Sequence, residues 1–148
     1  MKNSSVVVDS NLAILTVVDS EQSYLATQVW TRLISSGLQF WAPGLWVYET
    51  TSVIRKLNAL KKITTEQAGK ALVILDQMPI QWITEDLQLR QAAFKWATQL
   101  RQKAAYDGFY VAAAEQLNAE LWTADQALAN NAQQIGIRWV HWMGEIRP

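Results

Sequence analysis

Apolar residues along the chain follow two patterns that alternate from one end to the other. The first is a short run rich in β-branched or aromatic side chains, which is typical of a strand buried on both faces. Such runs lie at 6–8, 38–41, 80–83, 121–123 and 138–142. The second is a recurrence at three- and four-residue spacing, which predicts helices at 12–18, 21–35, 45–60, 65–77 and 84–101 and others beginning near 105 and 125. This alternation predicts an α/β fold whose mostly parallel sheet of four to five strands is covered by helices on both faces.

Two of these helices carry apolar stripes that we expect to face the core. The stripes are Tyr24, Leu25, Val29, Leu33 and Ile34 in the helix at 21–35, and Trp46, Val53, Leu57 and Leu60 in the helix at 45–60. Glu49 lies on the flank of the second stripe. A carboxylate at that border needs a partner, because an isolated buried charge is costly. A salt bridge, an exposed edge position or a functional role each accounts for Glu49.

Several helix ends are marked by local sequence. Thr64 and Gln67 have the spacing of a capping box at the start of the helix at 65–77. Residues 84–86 are predicted to begin the next helix, with two acids in its first turn, where negative charge is favourable.

Three aspartates fall where strands end or helices begin. Asp9 directly follows the first predicted strand, Asp125 follows the fourth by two residues, and Asp107 opens the helix before that fourth strand. Ligand sites of open α/β sheets lie at the carboxyl ends of the strands. Each acid also has a structural alternative, because Asp9 is placed to cap the next helix, and Asp125 to be a first-turn acid behind a Thr123–Gln126 capping box.

Composition and charge narrow the classes of function. The 148 residues are 50% apolar and 18% charged, which predicts a folded protein with one domain over residues 1–148. Thirteen basic residues balance thirteen acidic ones, so the chain has no overall attraction for a polyanion. Cysteine is absent, which excludes disulfides, thiolate metal sites and cysteine nucleophiles. No run has the length of a membrane span or a signal-peptide core, so we expect a cytoplasmic protein without membrane contact.

Asp9, Glu49, Asp107 and Asp125 can all reach the same edge of a parallel sheet. Carboxylates gathered without lysine or histidine nearby oppose each other's ionisation, and a hard divalent cation resolves that conflict. Oxygen ligands suit Mg²⁺ or Mn²⁺, whereas the absence of cysteine and the distance of the sole histidine, His141, argue against zinc. Such ions activate water and neutralise phosphate, so the cluster suggests phosphodiester hydrolysis.

The segments that carry these acids resemble a known family over nearly the whole chain. VVVDSN at the start, YETTSVIRKL around Glu49, and AAYDGFYVAAAEQLNAELWTAD are similar to the PIN domain, in particular to the VapC-like toxins of bacterial toxin–antitoxin pairs. The resemblance implies an α/β/α sandwich and a Mg²⁺- or Mn²⁺-dependent endoribonuclease that cuts RNA. It implies Asp9, Glu49, Asp107 and Asp125 as the catalytic, metal-binding acids. It further implies a homodimer and a cognate antitoxin.

Three positions beside these acids are compared with the family pattern. Thr123 matches a polar position near the site. Gly108 stands where the family usually has alanine, which predicts a helix cost of ~1 kcal/mol and local looseness beside Asp107. Ser52 stands where asparagine is frequent. Neither departure removes an acid.

Two other functions remain open at the level of sequence. In one, the protein is an interaction module with a PIN fold, weak or unused nuclease activity and exposed tryptophans such as Trp30 and Trp41 that dock a partner protein. In the other, Asp9 is the nucleophile of a phosphotransferase, although the usual second acid is Asn11 here. For the ribonuclease, candidate contacts to the RNA backbone are Lys61, Lys62, Arg101 and Lys103.

Overall fold

Five parallel strands form one sheet in the computed structural model, which describes residues 3–146. The strands are β1 (Ser5–Val8), β2 (Gln39–Pro43), β3 (Ile80–Ile83), β4 (Glu120–Thr123) and β5 (Val140–Trp142). Their order across the sheet is β3-β2-β1-β4-β5, and every neighbouring pair is parallel. The prediction of a mostly parallel sheet of four to five strands is therefore confirmed, with five strands and every pair parallel.

Seven α-helices connect and cover the strands. They are α1 (Ser10–Val17), α2 (Ser23–Ser35), α3 (Leu45–Ala59), α4 (Thr65–Gln77), α5 (Leu87–Gln99), α6 (Tyr106–Leu117) and α7 (Gln126–Gln134), and a short 3₁₀ helix follows β5 at Met143–Glu145. Helix α1 contacts α2, α3 and α4, α3 contacts α4, α5 packs on α6, and α6 lies against β1, β2 and β4. The predicted α/β/α sandwich is confirmed.

The centre of the sheet is the best-buried part of the core. Val6, Val7 and Val8 of β1 have no exposed surface, because β1 pairs on one side with β2 and on the other with β4. β-Branched side chains suit such a doubly covered strand. Asp9, the next residue, is consequently held at a rigid position.

The predicted faces of α2 and α3 are partly wrong. In α3 the buried line is Trp46, Thr50 and Ile54, whereas Val53 and Leu60 are exposed. Thr50 can be buried because its hydroxyl donates to the carbonyl oxygen of Trp46 at 2.8 Å. A stripe traced only through apolar residues misses a threonine that satisfies its own hydroxyl inside the helix.

The face of α2 is shifted in the same way. Tyr24 and Ile34, expected in the core, are 74% and 54% exposed, while Ala26 and Trp30 are buried with Val29 and Leu33. The exposed pair lies at the two ends of the helix, where the core no longer covers it.

The predicted start of α4 is confirmed, and the predicted start of α5 is wrong. Thr64 and Gln67 form the predicted capping box, with Gln67 N donating to Thr64 Oγ1 at 3.1 Å. Residues 84–86 do not begin α5; Asp86 is its N-cap and accepts from Leu89 N at 2.9 Å, while Glu85 accepts from Leu45 N at 3.3 Å.

Gly108 lies at a close crossing of α5 and α6. A Cβ at this position would overlap the carbonyl oxygen of Ala93 and lie 3.3 Å from the backbone nitrogen of Ala97. The predicted looseness is therefore wrong, since glycine allows the two helix backbones to touch. The crossing fixes the first turn of α6, which carries Asp107.

Within residues 3–146, no helix is both long enough and apolar enough to cross a membrane.

Candidate functional site

The site lies outside the carboxyl ends of β1 and β4, where the strand order changes direction. The chain leaves β1 toward β2 and later returns to pair β4 on the other side of β1. In open α/β sheets this switch point forms a crevice in which ligands bind. Asp9 closes β1, and its backbone N donates to the carbonyl oxygen of Trp122 in β4 at 3.0 Å.

Asp9 is the most enclosed of the four acids. Its residue is 4% exposed, and Thr123 Oγ1 donates to Asp9 Oδ2 at 2.9 Å. The backbone of Asp9 occupies the N-cap position of α1, but its carboxylate makes no capping hydrogen bond. The pKa of the Asp9 carboxyl is raised to about 7, chiefly by burial; the charges of Asp107 and Glu49 also raise it, and the hydrogen bond from Thr123 opposes them. The capping alternative for Asp9 is wrong.

Glu49, on α3, accepts hydrogen bonds from two hydroxyl groups. Tyr110 Oη donates to Glu49 Oε1 at 2.6 Å, and Ser10 Oγ donates to the same oxygen at 3.1 Å. Ser10 Oγ also lies 3.4 Å from Asp9 Oδ1, so one side chain links the two acids. Tyr110 is 1% exposed, and burial together with the charges of Asp9 and Glu49 raises the pKa of its phenol. The phenol therefore stays protonated and acts as a donor.

Asp107 lies in the first turn of α6 and is partly buried. Gln102 Nε2 donates to Asp107 Oδ2 at 2.8 Å. Burial raises the pKa of the Asp107 carboxyl, the hydrogen bond from Gln102 lowers it, and the charge of Asp125 raises it again. Asp107 thus interacts electrostatically with Asp9 on one side and with Asp125 on the other.

Asp125 caps a helix and also follows β4 at this edge of the sheet. It is the N-cap of α7, and its Oδ1 accepts from Leu128 N at 3.1 Å. The capping box expected from Thr123 and Gln126 is not formed, because Thr123 is buried and its hydroxyl is directed to Asp9. Sequence spacing alone placed the cap two residues too early.

Asn11 links the two central strands behind the acids. Its Oδ1 accepts from Ala124 N at 3.0 Å, and its Nδ2 lies 3.3 Å from Thr123 Oγ1. Asp125 N donates to the same Thr123 oxygen at 3.0 Å. Asn11 and Thr123 therefore fix the turn after β4 relative to the start of α1.

The charge of the four acids is not neutralised by basic side chains. The ion pairs found between residues 3 and 146 are Lys70–Glu66, His141–Glu120 and His141–Glu145, and none involves these acids. His141, the sole histidine, stacks on Trp122 and bonds both glutamates, so its contacts are those of a structural residue.

An all-oxygen set of carboxylates suits a hard divalent cation, and buried, unpaired negative charge is the feature that such an ion would offset. Across the described part of the chain, however, no group of three or more His, Cys, Asp or Glu side chains is close enough to enclose a metal ion. The donor chemistry fits Mg²⁺ or Mn²⁺, and Glu49, Asp107 and Asp125 each accept a hydrogen bond from a different part of the protein.

The four basic residues predicted to contact the RNA backbone lie in two different places. Arg101 and Lys103 flank Gln102, which binds Asp107, and all four predicted backbone contacts are exposed. Lys61 and Lys62 follow α3, whose 15 residues lead away from the edge where that helix begins.

Trp30 is only 9% exposed and packs edge-on against Phe40. The expectation of an exposed docking surface at Trp30 is wrong.

A family model described as the PIN domain matches residues 6–134, which hold all four acids. The chain belongs to the PIN domain family. This is a nuclease family, and the family predicted from the sequence is thereby confirmed. No curated protein sequence matches the chain.

Solved structures share the PIN fold at low sequence identity. PAE2754 from Pyrobaculum aerophilum has a TM-score of 0.66 at 17% identity, covering 95% of this chain and 90% of its own. VapC20 from Mycobacterium tuberculosis, a toxin that cleaves the sarcin-ricin loop, has a TM-score of 0.64 at 15% identity, covering 97% and 99%. VapBC2 from Rickettsia felis, bound to a DNA fragment from its promoter, has a TM-score of 0.64 at 14% identity, covering 93% and 98%.

Sequence reasoning missed the groups that hold the acids. Tyr110 and Gln102 bind two of them, and the spacing of Gln102 does not distinguish it from a surface position. For Tyr110 the one available signal was that it follows Asp107 by three residues and so lies on a neighbouring part of the same helix surface.

Proposed function

We propose that this PIN domain protein is a Mg²⁺- or Mn²⁺-dependent endoribonuclease that hydrolyses RNA phosphodiester bonds and serves as the toxin of a toxin–antitoxin pair in the cytoplasm. The family supports a nuclease, and the VapC20 structure with the same fold is that of an RNA-cleaving toxin.

One observation carries the proposal. Asp9 is buried at the end of β1 with the charges of Asp107 and Glu49 beside it, and these raise its pKa to about 7. A fold gains nothing from placing carboxylates together in this way, because each opposes the ionisation of the next. Such an arrangement is expected where the acids have a ligand of opposite charge.

The four acids are the residues that would hold the cation. A divalent ion bound there supplies an activated water molecule and neutralises negative charge on a phosphate. Thr123 keeps the Asp9 carboxylate in a fixed rotamer through its 2.9 Å hydrogen bond, and Gln102 does the same for Asp107 at 2.8 Å. Arg101 and Lys103, on either side of Gln102, are placed to attract the RNA backbone.

The direct test is cleavage of a mixed cellular RNA by purified protein with Mn²⁺ or Mg²⁺, and with EDTA in their place. We expect cleavage only with metal, and its loss in Asp9→Asn, which keeps the shape of the side chain but removes its charge. Asp19→Asn is the matched control, because Asp19 is exposed and lies beyond the far end of α1, the helix that begins directly after Asp9. Cleavage that persists in EDTA, or full activity in folded Asp9→Asn, would rule the proposal out.

We further propose a cognate antitoxin and a homodimer. Support for the antitoxin comes from VapBC2 and FitAB, toxin–antitoxin complexes that share the fold; FitAB, bound to a DNA fragment, has a TM-score of 0.68 at 14% identity. The homodimer rests on the resemblance to VapC-like toxins alone. If the proposal holds, the product of a short adjacent gene co-purifies with the protein and abolishes its metal-dependent cleavage. An adjacent product that binds without inhibiting would contradict the antitoxin role.

A further inference from the structure

Two hydroxyl groups converge on a single carboxylate oxygen at the edge of the site. Tyr110 reaches Glu49 Oε1 from α6 at 2.6 Å, and Ser10 reaches it from the start of α1 at 3.1 Å. Among the described residues, no hydrogen bond is made to the other oxygen, Oε2. The carboxylate is thus turned so that one oxygen faces the protein and the other is left without a donor.

Tyr110 also ties two of the acids to one helix. It lies three residues after Asp107 on α6, whereas Glu49 belongs to α3. Its hydroxyl therefore fixes the position of Glu49 relative to the helix that carries Asp107. The aromatic ring is 1% exposed and the helix is held by the Gly108 crossing, so this donor has little freedom to move.

We propose that Tyr110 is a positioning residue that orients Glu49 for cation binding, a role that rests on the proposed metal-dependent function. Partners of this kind, which hydrogen-bond a metal ligand without touching the metal, typically change affinity or activity roughly 10- to 100-fold when they are removed. Ser10 acts on the same oxygen through a longer bond, so its contribution is expected to be smaller.

The competing explanation is that Glu49 only satisfies a buried phenol, since a buried tyrosine hydroxyl needs a hydrogen-bond partner. The two explanations differ in what they predict for Tyr110→Phe, which removes the hydroxyl and keeps the ring. A structural role alone lowers the melting temperature of the metal-free protein. A positioning role weakens the binding of metal by the folded protein.

The experiment measures Mn²⁺ affinity from the electron paramagnetic resonance signal of free Mn²⁺, together with kcat and KM for RNA. For Tyr110→Phe we expect Mn²⁺ affinity and kcat to fall roughly 10- to 100-fold, with KM nearly unchanged and the metal-free protein folded. Tyr24→Phe is the matched control, because Tyr24 is 74% exposed and its hydroxyl accepts from Gln28 on the same helix. It should match the parent.

A double-mutant cycle decides whether Tyr110 acts through Glu49. In a Glu49→Gln background, the further change Tyr110→Phe should cost almost nothing in Mn²⁺ affinity, because the group that Tyr110 positions is already altered. Equal losses in the two backgrounds, or unchanged Mn²⁺ affinity in Tyr110→Phe, would overturn the role. A parent that binds Mn²⁺ but cuts no RNA contradicts the proposed function, while the Mn²⁺ affinities still judge Tyr110. A parent without Mn²⁺ binding contradicts both.

Discussion

Asp9 combines two properties that ordinary surface carboxylates lack. It is almost fully buried, and its pKa is raised from 3.8 to about 7 by that burial and by the charges of Asp107 and Glu49. In the metal-free protein its ionised form is therefore a cost to the fold. The same cost is the reason to expect that a cation bound at this edge stabilises the folded state.

The raised pKa of Asp9 predicts how stability depends on pH. Because the folded protein binds the Asp9 proton more tightly than the unfolded chain does, protonation of Asp9 stabilises the folded state. This stabilisation is complete below about pH 4 and is lost as the pH rises through 7. Asp9→Asn carries no charge at any pH. Without metal, we expect it to be more stable than the parent at pH 8, by on the order of a few kcal/mol, and the difference to shrink toward pH 5.

Urea unfolding in EDTA from pH 5 to pH 8 measures this difference, with Asp19→Asn as the exposed control. Asp19→Asn should follow the parent at each pH. A constant gap between the parent and Asp9→Asn across this range would contradict the assigned pKa.

At the scale of single residues, the sequence indicated where the acids lie better than it indicated which side chains bond to them. Asp9 is recognisable because it ends a buried strand, and Asp107 because it opens a helix. Tyr110 is not recognisable in this way, since its partner Glu49 is 61 residues away in the chain. The ring fits equally well as an ordinary core residue.

At the scale of elements, α6 has the strongest influence on the site. It carries Asp107 and Tyr110, and it lies against β1, β2 and β4. Gly108 lets this helix approach α5 until the backbones meet. A sequence comparison treats that glycine as a weakness, because the close crossing partner is far away in the chain and cannot be inferred from local propensity.

A pair of glycine substitutions tests the crossing. Gly108→Ala should lower the free energy of unfolding by about 1–3 kcal/mol, because the added methyl group overlaps the Ala93 carbonyl. Gly69→Ala, in α4, meets no atom within 4 Å and should instead raise it by about 0.5–1 kcal/mol. Thermal or urea unfolding of both variants provides the measurement. Stabilisation by both changes would mean that α5 and α6 are not in close contact at Gly108.

Element positions were predictable where their signals are local. The capping box of Thr64 and Gln67 depends on residues three apart, and it is present in the structure. The predicted buried face of α3 was wrong because Thr50 is buried, with its hydroxyl hydrogen-bonded to a backbone carbonyl of the same helix. Burial of a polar residue depends on such a partner and is not visible in an apolar pattern.

At the scale of the whole molecule, topology brings the acids together. β1 lies between β2 and β4, so residues that follow three separate segments reach one edge of the sheet. The alternation of strands and helices was sufficient to predict this parallel arrangement. It was insufficient to predict how the side chains are held there, because Glu49, Asp107 and Asp125 accept hydrogen bonds from Tyr110, from Gln102 and from the first turn of α7.

The proposed function requires that these acids form one site for a divalent cation. Diffraction from crystals soaked in MnCl₂, with data collected at the manganese absorption edge, tests for that site. We expect an anomalous peak at the carboxyl edge between Asp9 and Asp107, with Glu49 and Asp125 turned toward it, and its loss in Asp9→Asn. A well-ordered structure with no peak at this edge, or with manganese held only by other residues, would contradict a cation site formed by these acids.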